Sequence, residues 1–382
     1  MKLKRPIYMD YAAATPMDPA VADAMQPYFS ETFYNPSAVY MAGTAVRKDM
    51  EKARAAVARW FGSRPSEIIF TAGATEANNL AIHGIMQQFP EANLVVSSVE
   101  HDSVLAAAVN YSCKTIPVDT EGIVALAELD KLIDEHTVLI CVQYANNEVG
   151  TIQPLKEVAE LVKTVRAQRA KSGNSLPLYL HSDAAQAAGY LDLHATRLGA
   201  DFISINGGKI YGPKQSGALY IRAGLQIVPL IYGGGQERGL RSGTENVAAC
   251  IGLAKALDLA QTMRHAEVKR LQSLQHQFID SLQQKVPATI VNGSRKHRLP
   301  NNVHITIPGQ DNERLLFALD EASVMAAAGS ACSASDDTPS HVLKAMGLTD
   351  QEARASLRFS FGRQTTNEDI AAAVDTLIKL LA

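Results

Sequence analysis

The stretch EIIFTAGATE, residues 67–76, decides the architecture. EIIF is a short apolar run, Thr71-Ala72-Gly73 is a small-residue turn, and a helical pattern opens directly behind it, so the segment reads as strand, turn and helix. Upstream, Asp18-Pro19 places an N-cap residue and a first-turn proline ahead of an apolar-periodic run to Tyr28. Arg47 to Phe61 then repeats helical spacing and stops at Gly62. Downstream, LVVSS (94–98), TVLICVQ (137–143), LYLHS (178–182), DFISI (201–205) and ALYI (218–221) are short runs with few charges, as strands buried on both faces require. Most are separated by helical segments such as 154–171, which predicts a mainly parallel α/β layer up to about residue 255.

Beyond it, 246–285 is helical almost without a breaker, SRKHRLPNN interrupts, and a shorter strand, VHITI (303–307), follows. A helix over 312–321, the small-residue stretch AAAGSACSAS and helices near Pro339 and Asn367 predict an α+β unit. No repeat, low-complexity tract or Ser/Gly linker separates the two units, which are expected to pack rigidly.

A chain of 382 residues suits two units, and 47% apolar with 20% charged residues is a globular composition. With 36 Lys and Arg against 39 Asp and Glu, the net charge of -3 gives no global basic field, so neither direct nucleic-acid binding nor a membrane partner is expected. Cys113, Cys141, Cys250 and Cys332 are widely spaced with no C-x-x-C pair, which disfavours a disulfide framework and a metal knuckle. The N-terminus lacks an apolar leader segment and no stretch reaches ~18 apolar residues. The expected compartment is the cytoplasm, where each thiol needs a reason in packing or reactivity.

Sites on parallel α/β sheets form at the carboxyl ends of the strands. The turn 71–76 offers helix-start amides that suit a phosphate, although a turn of this composition also serves as an ordinary connection. Glu100-His101, Asn146-Asn147-Glu148 and the run His181 to Gln186 each follow an apolar run, as do the two lysines of NGGKIYGPK (206–214). Each alone has an ordinary explanation: a strand-end His or Asn satisfies a turn, Asp183 caps a helix, and a loop lysine is solvated.

Together, TAGATEANN, EH at 100–101, NNEVG, SDAAQ, GGKIYGPK, GGGQERGLRSGTENV (233–247), GSACSAS (329–335), PSHVLKAMG and LRFSFGR resemble the group I cysteine desulfurases of the class V aminotransferase superfamily, nearly throughout and in the family's order. The resemblance implies a fold type I large domain with a mainly parallel seven-stranded sheet over 16–255, and a small α+β domain from 1–15 and 256–382. It implies pyridoxal 5'-phosphate as cofactor, held by Lys209 as a Schiff base, with L-cysteine converted to alanine and its sulfur passed to a protein cysteine. Asp183 is then matched to the pyridinium nitrogen, His101 to stacking on the ring and proton transfer, and Asn147 and Gln186 to the region of the phenolic oxygen. Ala74 and Thr75 are matched to the phosphate, Thr244 to the phosphate of the other subunit in a homodimer, and Arg358 with Asn147 to the substrate carboxylate. Cys332 is the implied nucleophile, whereas Cys113, Cys141 and Cys250 fall in or beside strands and a helix and suit packing. The expected sulfur acceptor is a protein such as an iron–sulfur scaffold or a tRNA-thiolation enzyme.

One motif departs from the family, which commonly has Ser-Gly-His-Lys where this chain has Asn206-Gly207-Gly208-Lys209. Asn206 can substitute as a phosphate donor, but Gly208 supplies no side chain. Gln215 also stands where glycine is usual. Two alternatives follow: a selenocysteine lyase or other small-amino-acid enzyme sharing Lys209, Asp183 and His101, and a weakly active sulfur-transfer scaffold that binds cofactor poorly.

Overall fold

The computed structural model describes residues 5–329 and 338–381. Its central sheet has seven strands in the order Ile68–Thr71, Gly217–Ile221, Phe202–Asn206, Tyr179–Asp183, Thr137–Cys141, Asn93–Ser97 and Ser112–Ile116. Only Gly217–Ile221 runs against its neighbours, pairing antiparallel on both sides, and the other pairings are parallel.

The two-residue period of the strands sorts their apolar side chains between two faces. Ile68, Phe70, Val95, Ile140, Ile203 and Tyr220 join the core that includes helix Met41–Phe61 and much of the long C-terminal helix. Ile69, Leu94, Val96, Leu139, Phe202 and Leu219 join the opposite core under helices Ala74–Met86 and Asp102–Ala108. Burial on both faces explains why these strands read as continuous apolar runs.

The apolar runs mark the strands to within one or two residues, whereas the edge strand Ser112–Ile116 has no such run because only Ile116 is buried. Helix Met41–Phe61 starts six residues before Arg47 and ends at Gly62, whose φ of 61° is the left-handed cap conformation glycine favours. Asp18 caps Pro19–Met25 through Ala20 N–H at 2.9 Å, and a second short helix, Pro27–Ser30, follows.

The C-terminal part holds an antiparallel sheet ordered Ser356–Ser360, Asn302–Thr306 and Ile290–Val291, with helices Asn312–Glu321 and Asn367–Leu381. The strand in LRFSFGR carries Arg358 and was not among the expected elements. Near the N-terminus, Ile7–Tyr8 pairs in parallel with Val324–Met325, and Asp10 forms a bridge with Ser360. The N-terminal segment thus belongs to the small-sheet side before it passes over the large sheet. A single helix of 39 residues, Val247–Lys285, packs against Met41–Phe61 and also against Asn367–Leu381. Among the described residues no helix is long and apolar enough to cross a membrane. Cys113, Cys141 and Cys250 are free thiols; Cys141 and Cys250 are buried, and burial raises all three above the usual thiol range.

Candidate active site

The polar residues converge at the carboxyl ends of the central strands. Helix Ala74–Met86 starts right behind Ile68–Thr71, with Gly73 as N-cap. The turn lies so close to the neighbouring strand that residue 217 must be glycine, because a Cβ there would lie 2.6 Å from Gly73 backbone. Helix geometry leaves the first-turn amides without intrahelical acceptors, and they border a cavity of about 680 Å³ lined by Gly73, Thr75, Asn206, Gly208, Lys209 and Lys214 among others. Ala74 is buried and Thr75 exposed at this turn.

Asp183 ends the strand Tyr179–Asp183 and is 7% exposed. Its carboxylate accepts from Ala185 N–H at 2.8 Å and from Asn78 Nδ2 at 2.7 Å. Asn78, fully buried, also donates to Ser103 Oγ at 2.9 Å. Ser103 in turn meets His101 Nδ1 through its hydroxyl at 2.9 Å and its backbone N–H at 3.0 Å. His101 is therefore the side-chain cap of Asp102–Ala108, and an Nδ1 that accepts twice leaves the imidazole proton on Nε2. One hydrogen-bonded chain thus joins Asp183 to His101.

Beneath it, Glu100 is fully buried, with one carboxyl oxygen accepting Gln143 N–H at 2.5 Å and the other unpartnered. Burial, reinforced by Asp183, pushes its carboxyl up to about 8. His181 shares the strand face of Asp183, and burial pushes it down to about 4 against the pull of that carboxylate. Both groups are neutral near pH 7.

Lys209 closes the turn Gly207–Lys209, where Asn206 Oδ1 accepts Gly208 N–H at 3.0 Å. Its ammonium donates to the Ala12 and Ala13 carbonyls at 2.8 and 2.6 Å. Gln186 Nε2 donates to the same Ala12 carbonyl at 3.0 Å, and Lys214 reaches Thr15 O at 2.5 Å. With its oxygen committed, Asn206 leaves its amide nitrogen on the side of the turn, 4.0 Å from where a Gly73 Cβ would stand. A side chain started at Gly208 would meet Lys214 Cδ at 3.1 Å, so the lysine stem borders the place a histidine fills in the commoner motif.

Arg358, on Ser356–Ser360, is 1% exposed. Its Nη2 donates to Asp10 Oδ1 at 2.7 Å and its Nη1 to the Asn147 carbonyl at 3.0 Å, while Nε has no partner. Asn147 thus serves here through its backbone, and the preceding Asn146 shapes the loop by accepting from Glu148 and Val149 N–H.

Cys332 lies outside the described residues. The flanks of 330–337 meet at one carboxylate: Ser340 Oγ donates to Glu148 Oε2 at 2.5 Å, and a Cβ on Gly329 would lie 3.2 Å from that oxygen. Thr244 is exposed in the glycine-rich loop. That loop is fastened by a doubly hydrogen-bonded buried pair, Arg54 with Glu237, and by Arg241 on Glu76 at 3.0 Å. Asp10, Asn78 and Ser103 escaped the sequence reading as site residues, although a polar Asn78 on the apolar face of Ala74–Met86 is a signal of a buried hydrogen-bonding role.

Pyridoxal 5'-phosphate fits these residues. Asp183 is a buried carboxylate, the acceptor a protonated ring nitrogen requires, and the helix-start residue Thr75 and two lysine amines border the adjoining cavity.

Residues 7–373 match the family described as aminotransferase class-V. A cysteine desulfurase IscS of Dictyoglomus turgidum is 39% identical over 99% of this chain and 95% of its own length. Cysteine desulfurase IscS 1 of Archaeoglobus fulgidus is 40% identical over 98% of this chain and 95% of its own length. Among solved structures, a NifS-like protein superposes with a TM-score of 0.90 at 32% identity, covering 98% of this chain and 99% of its own. A NifS-like protein of Rickettsia africae does so with a TM-score of 0.87 at 31% identity over 99% of both. With matching sequence, fold and strand-end chemistry, the chain belongs to the class-V aminotransferase family, among its pyridoxal-phosphate-dependent cysteine desulfurases.

Proposed function

We propose that this chain takes the sulfur of L-cysteine onto Cys332 as a persulfide, releases alanine, and passes the sulfur to an acceptor protein. The observation that carries the reading is that Lys209, Asp183 and the hydrogen-bonded His101 lie at the carboxyl ends of strands of one sheet, whose edge strand leads into the 71–76 turn. Pyridoxal 5'-phosphate, when bound, supplies an electron sink for the amino acid it carries.

The residues divide the remaining work. Lys209 Nζ would hold the cofactor and, as a free amine, could take and return a proton; the Ala12 and Ala13 carbonyls receive its ammonium. Asp183 keeps the ring nitrogen protonated. His101 would face the ring and presents Nε2–H as a donor. The amides at Ala74 and Thr75, with the Asn206 amide, would hold the phosphate, to which Gly208 could contribute only backbone; Gln186 and Asn147 would serve the phenolic oxygen. Arg358 grips the substrate carboxylate. The Cys332 thiolate attacks the substrate sulfur: an S–S bond forms, the Cβ–S bond breaks, and its electron pair stays with the carbon, which is protonated to give alanine.

The protein works as a cytoplasmic homodimer in this reading, with Thr244 reaching the phosphate of the neighbouring subunit from a loop that Arg54 and Glu237 hold rigid. The large domain comprises 16–255 and the small one 1–15 with 256–382. The acceptor is an iron–sulfur scaffold protein or a tRNA-thiolation enzyme. Cys332→Ser in the cofactor-loaded full chain tests the mechanism: bound cofactor should persist while alanine and persulfide formation both disappear. Normal alanine release by that variant overturns it.

A further inference from the structure

Arg358 carries a permanent charge in a nearly sealed position, 1% exposed, and the carboxylate paired with it among the described residues is Asp10. Among the described residues, two further titratable groups couple to Arg358, and neither brings a negative charge. His304, its register partner on the adjacent strand, is pushed down to about 3 by burial and by the Arg298 and Arg358 charges, and so is neutral. Tyr8 is pushed up to about 12 by burial and the nearby Asp10, and is neutral too. Asp10 is itself fixed, since its backbone bridges Ser360, Ala12 N–H donates to Ser360 Oγ at 2.8 Å, and Ala13 N–H returns to Asp10 O at 3.0 Å. The guanidinium therefore already holds one carboxylate while its Nε–H has none.

We propose that Asp10 is a resident counter-ion that weakens the hold of Arg358 on the amino-acid carboxylate, and thereby promotes release of the alanine product. The inference rests on the reading of Arg358 as the carboxylate grip. A second carboxylate arriving at a guanidinium already paired with Asp10 meets a like charge only a few ångströms away, which opposes binding. An unopposed buried guanidinium would bind carboxylates more tightly, but the gain would apply equally to substrate and product, because both carry the same carboxylate and amine. Tighter uniform binding lowers KM without accelerating the chemistry. Asp10 acts through Arg358 and is thus a positioning residue, tuning affinity in place of reactivity.

The test uses the cofactor-loaded full chain and compares wild type, Asp10→Asn, Asp10→Glu and Arg358→Ala. Asn keeps an oxygen acceptor for Nη2 and removes the charge. The expected result is that Kd for L-alanine, from spectral titration, and KM for L-cysteine fall together by about tenfold in Asp10→Asn, with Asp10→Glu near wild type. Binding of L-cysteine methyl ester, which has no carboxylate, should not change; a merely structural role for Asp10 would disturb both ligands. An L-alanine Kd that is unchanged or weaker in Asp10→Asn overturns the inference. Should that variant not fold, Asp10→Ser removes the same charge and is read in the same way. If Arg358→Ala binds L-alanine as wild type does, the carboxylate role of Arg358 fails first and Asp10 falls with it; if Arg358→Ala weakens binding and Asp10→Asn does not tighten it, only the Asp10 inference fails.

Discussion

The strand-end cluster around Lys209 and the ion pair around Arg358 are built on different plans. Asp183 ends an apolar strand, Lys209 and His101 stand just past others, and the parallel sheet brings those ends to one edge of the layer. Arg358 lies mid-strand in a small antiparallel sheet and meets groups 348 and 211 residues away, Asp10 and Asn147. In the first region burial shifts Glu100 and His181 towards their neutral forms beside Asp183, and hydrogen bonds orient Asp183 and His101. In the second, a full charge is balanced by another full charge. Topology positions the first region, whereas charge balance governs the second.

The sharpest way to break this contrast is Lys209→Ala. Covalently held cofactor and alanine formation should be lost together, by about a thousandfold or more in rate, while Lys214→Ala keeps the covalent link; cofactor retained after borohydride treatment of Lys209→Ala would remove the lysine from its role. Arg358→Lys tests the second region more gently. It keeps the charge and forfeits the bidentate fork, so KM for L-cysteine should rise by about tenfold or more with kcat less affected, and steady-state kinetics decide.

A third test asks whether Glu100 is neutral. Its folded pKa, raised from 4.5 to about 8, means that the folded chain keeps a proton the unfolded chain has released in between. Stability from the neutral carboxyl is then full below the unfolded value and is lost as pH rises towards the folded one, with a slope of up to about 1.4 kcal/mol per unit. Glu100→Gln should fold and show a flatter fall in denaturation midpoint across that window; identical slopes would mean the carboxyl is already ionised. The smallest effect belongs to Gly208→His. Because the backbone at 208 is not in the left-handed region and only the Lys214 stem and Asn206 Oδ1 stand near, at 3.1 and 3.4 Å from a Cβ there, cofactor Kd should tighten severalfold at most. Equal constants would show that Asn206, Lys214 and the helix amides already satisfy the phosphate.

Much of the first region was legible in the sequence, since double-sided burial produces apolar runs and the residues after them mark the site. The helix 312–321 was equally legible, its Asp311 cap accepting Arg314 N–H at 2.8 Å. The edge strand Ser112–Ile116 was not, because a strand open to solvent keeps polar residues. Nor did the pattern around Asp10 announce an ion pair: a short-range reading sees a turn residue, and its partner lies near the other end of the chain. Ser103 was hidden for a subtler reason, as a serine behind Glu100-His101-Asp102 reads as ordinary helix-start chemistry until Asn78 is seen bonded to it.

The helix Val247–Lys285 has a mechanical consequence. At 39 residues it is a rod of about 58 Å, packed at one end on Met41–Phe61 beside the large sheet and at the other on Asn367–Leu381 beside the small one. The proposed boundary at residue 255 falls within it, so a connection there would be a stiff beam, not a joint. The small sheet cannot swing freely about that crossing; opening for substrate would have to flex the beam or shift the thin N-terminal strap that carries Asp10 and the carbonyls facing Lys209. Substituting glycine at an exposed point such as Ala266 would soften the beam without touching any group that meets substrate, making gating and chemistry separable by a single change.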